Sequence, residues 1–149
     1  MSGGYFPVYP QHDNLPDPEI RTFITNFYQT SDKKESDELW VSFFHSDADV
    51  TIGNDHGKSE QGIRELRARM WNVVADRKHI VYKVFPHRFQ ESSDEGSTEH
   101  ELMLFGDVHV VTKDEQKLTL PWAAHAVLRK GSQPTDEWKF QKYRVYLQR

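Results

Sequence analysis

The chain has 149 residues, 19 basic and 23 acidic side chains for a net charge of −4, and no cysteine. That length fits one compact domain. The charge argues against general affinity for nucleic-acid backbones, and the missing thiols exclude disulfides, thiolate metal sites and cysteine nucleophiles. No apolar run approaches the ~18 residues of a membrane-spanning helix, and Met1 to Pro10 lacks the basic and apolar blocks of a signal peptide, so a cytoplasmic location is expected.

In chain order, residues 1–16 contain two glycines and three prolines and predict an extended arm. Tyr5, Phe6, Val8 and Tyr9 are too apolar for a free tail, so the arm should pack on the body. Residues 17–149 are then expected to form one domain. Asp17-Pro18 reads as a helix cap followed by proline in the first turn. Ile20, Phe23, Ile24 and Phe27 give one apolar helical face, ending near Thr30. After the polar stretch SDKKES, Ser36 is placed as the cap of a short helix whose apolar face is Leu39, Trp40, Phe43 and Phe44. A strand is expected over 48–52, ended by Gly53. A third helix, capped by Ser59, carries Ile63, Leu66, Met70 and Val73 on one face.

The remainder is β-rich. HIVYKVFPHRF, ELMLFGDVHVV, KLTLPWAAHAVL and EWKFQKYRVYL are separated by polar turns, which predicts an antiparallel meander. Alternation places Leu102, Leu104, Val108, Val110, Leu118, Leu120, Trp122, Ala124, Ala126, Leu128, Tyr143, Val145 and Leu147 toward the helices. Asp107, His109, His125 and Arg144 fall on the outer face. Gly106 marks a bend or bulge. The strand after His79 gives no clear parity, because Ile80 and Val84 compete with Val81 and Phe85.

Helices first and sheet afterwards is an α+β plan. The segments FITNFYQTSD, LWVSFFHSDADVTIG, GKSEQGIREL, DRKHIVYKVF, LPWAAHAVLRKG and EWKFQKYRVYL resemble the nuclear transport factor 2-like superfamily, and within it the SnoaL-like branch of polyketide cyclases, ketosteroid isomerase and scytalone dehydratase. The resemblance covers residues 18–148. It implies a cone-shaped α+β barrel, three N-terminal helices packed on a strongly curved, mainly antiparallel sheet around a pocket. It also implies a catalytic role for His79, at the position of a dehydratase histidine. Tyr28 lies near a pocket tyrosine, with Gln29 where the relative has aspartate. Gly53, Thr112, Trp122 and Ala124 stand where relatives carry a tyrosine, a histidine, and serine, asparagine or aspartate.

Imidazole titrates near working pH, so His79 is the candidate general acid or base, set against a capping histidine at a helix–strand junction. Tyr28, Trp40, Phe43, Trp122 and Tyr143 are candidate substrate-binding residues, with plain core packing as the other reading. Asp107 and His109 form a possible carboxylate–imidazole pair, more simply read as outer-face residues. His45, His56, His87 and His100 show no metal-ligand spacing, so no metal and no cofactor is expected. The expected function is a cofactor-independent pocket protein, either an isomerase, cyclase or dehydratase acting on a hydrophobic, oxygenated, polyketide- or terpenoid-like molecule, or a non-catalytic ligand-binding or protein-interaction domain. The expected partners are that small molecule and a second copy of the chain, paired through the outer sheet face, with neither nucleic acid nor membrane.

Overall fold

The structure is a computed structural model and describes residues 4–11, 18–87, 97–131 and 133–147. The helices are α1 (Glu19–Ser31), α2 (Asp37–Ser42) and α3 (Ser59–Arg69). The strands are β1 (Phe44–Ile52), β2 (Asp55–Lys58), β3 (Val74–His87), β4 (Ser97–Thr112), β5 (Lys117–Gly131) and β6 (Lys139–Leu147). They form one six-stranded sheet in the order β2-β1-β6-β5-β4-β3, antiparallel except for the β1–β6 pair. The ladder does not close, so the expected barrel is an open, mixed sheet with the three helices packed on it. Among the described residues no helix is long and apolar enough to cross a membrane.

The alternation in β4, β5 and β6 places their apolar sets as the period of two dictates. Leu102, Leu104, Trp122, Ala124, Ala126, Leu128 and Tyr143 are buried, whereas Met103, Phe105 and Tyr146 are exposed. In β3 the ladder slips between Val81 and Lys83. One extra residue there shifts the phase, so Val81 and Val84 are both buried, at odd spacing. Gly106 pairs with Val81 beside this bulge. A Cβ on Gly106 would stand 1.9 Å from the Ile80 carbonyl oxygen, so only glycine lets the two backbones approach this closely.

The helices differ from expectation at their ends. Leu39 is exposed, and Phe44 belongs to β1, because α2 closes at Ser42 and the chain turns directly into the sheet. The third helix stops at Arg69; Val73 is exposed and Val74 opens β3. Ser59 has φ 70° and its Oγ accepts the Gly62 N–H at 3.2 Å, so the cap sits one residue inside the assigned helix. The short strand β2 was not legible in DHGK. Pro18 precedes α1; Asp17, its expected cap, and most of the acidic turn at 91–99 lie outside the described residues.

The arm does pack. Val8 bridges Lys83 in parallel, Val81 N–H donates to Gly4 O at 3.0 Å, and Val84 N–H to Val8 O at 3.1 Å. The arm thus covers the free edge of β3, which would otherwise present unpaired backbone groups. Phe6 and the Val8 side chain remain exposed.

Candidate active site

His79 enters from β3, two positions before the bulge. Its Nδ1 lies 2.6 Å from Asp32 Oδ1, and its backbone N–H donates to Asp32 Oδ2 at 2.8 Å. Asp32 follows the last residue of α1. The Tyr5 hydroxyl of the arm donates to Asp32 Oδ2 at 2.6 Å. One carboxylate therefore accepts from three donors, drawn from β3 and from the arm.

The loop carrying Asp32 is pinned from α3. Arg67 is fully buried; it donates to the Ser31 carbonyl at 2.9 Å and the Lys33 carbonyl at 2.7 Å, and pairs with Asp37 at 2.9 Å. Its guanidinium also lies over the rings of Trp40 and Trp71. A buried arginine that satisfies the carbonyls on both sides of Asp32 fixes where that carboxylate points.

Electrostatics assign the proton. Burial works against the charge on Asp32, but the hydrogen bonds from His79 and Tyr5 outweigh it and hold the carboxyl below its usual range. Burial lowers the pKa of His79, helped by Arg77 and Arg67 and opposed by Asp32. Both shifts favour a carboxylate facing a neutral imidazole. Nδ1 carries the hydrogen donated to Asp32, and Nε2 keeps its lone pair, with no protein partner among the described residues. The His79 side chain is 14% exposed and lines a cavity of about 550 Å³.

That cavity opens between α3 and the inner sheet face. Its walls are mainly apolar, with Val108, Val110, Leu118 and Leu120 prominent. Leu118 and Leu120 stand here rather than in the packed core, Leu118 being 41% exposed. Trp122 lies edge-on to His79, ring centroids 5.7 Å apart. The Tyr143 and Tyr28 hydroxyls are 2.8 Å apart, and the Tyr28 ring packs on both His79 and Trp122. Burial raises the pKa of both phenols, so both keep their protons. One proton makes the mutual bond, leaving a second to donate elsewhere.

Of the residues singled out in the sequence, His79, Trp122 and Tyr143 line the cavity, and Tyr28 stands directly behind them. Trp40 and Phe43 lie outside it. Trp40 is fully buried with its N–H on Ser31 Oγ, and Phe43 packs on Phe23 and Phe27. The aromatic border expected from α2 is instead core, and the opposing wall comes from α3 and the residues after it. Asp107, His109 and His125 are on the outer face. They bond Tyr82, Thr119 and Glu101 respectively. Sequence reasoning missed Asp32, Arg67 and Arg77. Asp32, three residues after Gln29, is the carboxylate that meets His79.

No protein-family profile and no curated protein matches the sequence. Solved structures do. ActVI-ORFA from Streptomyces coelicolor superposes with a TM-score of 0.69 at 14% identity over 87% of this chain and 94% of that one. A hexachlorocyclohexane dehydrochlorinase superposes with a TM-score of 0.65 at 16% identity over 87% and 83%. Nuclear transport factor 2 from Cryptosporidium parvum gives 0.63 at 12% identity over 86% and 90%. The protein has the nuclear transport factor 2-like fold, an architecture shared by a protein named as a dehydrochlorinase and one named for transport.

Proposed function

We propose that the protein is a cofactor-independent acid–base enzyme in which His79 moves a proton of a hydrophobic, oxygenated ring compound, resulting in isomerisation, cyclisation or dehydration. One observation carries this reading: an imidazole bonded through Nδ1 to a buried carboxylate lines an apolar cavity. Nε2 would take a proton from a carbon next to a carbonyl, with the C–H electron pair moving onto the carbonyl oxygen. With Tyr28 donating to Tyr143, the Tyr143 O–H is left to stabilise that oxygen. Asp32 would stabilise the imidazolium. Returning the proton to another carbon isomerises the substrate; losing hydroxide from the neighbouring carbon, protonated as it leaves, dehydrates it. The dehydrochlorinase that shares the fold is named for an elimination of related type.

Exchange of the α-hydrogens of 2-tetralone in D2O, followed by NMR, tests this without knowing the natural substrate. Exchange accelerated by the protein and lost in His79→Ala supports the enzyme. Saturable binding with no acceleration would favour the ligand-binding domain and sink the catalytic reading.

A two-fold dimer through the outer sheet face belongs to the same proposal. Phe85, Met103, Phe105 and Tyr146 are large and exposed there, interleaved with Asp107, His109 and Arg144. Monomers seldom leave such a patch open. Light scattering at micromolar concentration should give twice the 17.5 kDa chain mass; a single-chain mass would refute the pairing.

A further inference from the structure

The arginines near the cavity are matched by carboxylates, with one exception. Arg69, on the cavity rim, pairs with Asp55 through two bonds of 2.8 Å. Arg67 pairs with Asp37, and Arg64 with Glu38 and Glu60. Arg77 also lines the cavity, yet among the described residues no carboxylate lies within ion-pair distance of it. Its Nη2 donates to the Met70 carbonyl at 2.8 Å, and its guanidinium lies 4.5 Å from the Trp71 ring centroid. Its Nη1 is shielded from solvent and has no acceptor. Burial lowers its pKa to about 10, so it remains a cation at neutral pH. A cation in an apolar wall is costly to keep without a counter-ion.

Arg77 and His79 alternate along β3 and line the same cavity, about 6–7 Å apart along the strand. Trp122, on β5, lines the same cavity. Its indole N–H is likewise buried without an acceptor. Arg77 and His79 thus bring a cation and a base to one cavity.

We propose that the cavity takes an apolar ring compound bearing a carboxylate, with Arg77 as the counter-ion and the reacting carbon beside His79. This rests on the cavity being the substrate site. A carboxylate on the ligand supplies the opposite charge that the Arg77 guanidinium lacks at ion-pair distance. The spacing between Arg77 and His79 is about the length of one aromatic ring with its first bond, so the acid belongs on the ring opposite the reacting position.

Calorimetric titration of the full chain with 2-naphthoate and with uncharged 2-naphthamide tests the proposal. Naphthoate should bind about tenfold or more tightly than naphthamide, as a charge-assisted bond to a shielded cation requires. Arg77→Met should weaken naphthoate alone and erase the preference; Arg77→Lys should retain part of it. Equal affinity of the two ligands for the unaltered protein would overturn the proposal with no variant needed. So would an equal loss for both in Arg77→Met, which would make Arg77 a packing residue, or no saturable naphthoate binding at millimolar concentration. His79→Ala should keep the preference. A naphthoate preference without tetralone exchange would therefore remove the catalytic reading and leave the ligand class standing.

Discussion

His79–Asp32 and His125–Glu101 are the same two functional groups set on opposite faces of one sheet. On the outer face, Glu101 and His125 sit diagonally across neighbouring strands, and the pair keeps 38% and 22% of its side-chain surface. Such pairs follow from register alone. On the inner face, the carboxylate comes from another layer, keeps only 6% of its surface, and receives three hydrogen bonds. The imidazole then lines a cavity. A polar pair on a solvated face competes with water and contributes little; a buried one can hold a base in one tautomer and one orientation. Pairing is therefore common to both faces, and what distinguishes the inner pair is saturation on one side and access on the other.

The largest expected effect breaks this comparison directly. His79→Ala should lower 2-tetralone exchange by ~10²–10⁴-fold, the usual worth of a positioned base. His125→Ala, on the outer face, should leave the rate within about twofold of unaltered. Similar losses in both would show that burial does not set the two pairs apart.

Asp32→Asn should cost at least ~10-fold, less than loss of the imidazole itself. Its pH profile is more telling than its size. In the unaltered protein the rate falls on the acid side as His79 gains a proton, below the ordinary imidazole value of 6.5. Asp32 opposes that depression, so removing its charge should move the acid limb to still lower pH while the plateau drops. A limb that moves upward would mean that Asp32 does not act on His79 as a carboxylate.

Gly106→Ala tests the bend behind the site. The new methyl would press on the Ile80 backbone, one residue from His79. A loss of about 2–4 kcal/mol in denaturant unfolding is expected, because a rigid backbone cannot yield as a side chain would. An unchanged midpoint would show that the two strands can part at no cost.

Much of this arrangement was legible in the sequence, and the illegible parts share a cause. The inner faces of β4 and β5, and of β6 from Tyr143 onward, follow a period of two, so alternation alone puts Trp122 and Tyr143 on the helix side of the sheet. In β3 the extra residue near Tyr82 breaks that period, which is why Ile80, Val81, Val84 and Phe85 gave competing answers. Asp32 lies in a polar linker and Arg67 on a helix rich in charge, so both read as solvated; no local pattern announces that a loop will be folded under a helix. Arg77 reads as an ordinary strand-edge charge until the cavity beside it is known. Trp40 and Phe43 were recognisable as buried aromatics, but aromatic periodicity cannot tell a core from a cavity wall.

The smallest effect concerns the arm. Tyr5 reaches Asp32 from outside the sheet, and its hydroxyl gives the carboxylate its third donor. Tyr5→Phe keeps the ring, its contact with Lys78, and the backbone bonds that hold the arm to β3. Only the hydroxyl is lost, so the expected destabilisation is about 1.5–3 kcal/mol, that of one hydrogen bond to a charged group. The sign of its pH dependence separates this from packing. A carboxyl held below its unfolded pKa contributes stability that is full above the unfolded value and is lost as pH falls through the folded one. Tyr5 supplies part of that depression. The gap in melting temperature between the two proteins should therefore be widest near neutrality and shrink as the pH drops below 3.8, the ordinary aspartate value. A gap of constant size across that range would mean that the arm acts on the site by packing alone, and that Asp32 needs no help from outside the sheet.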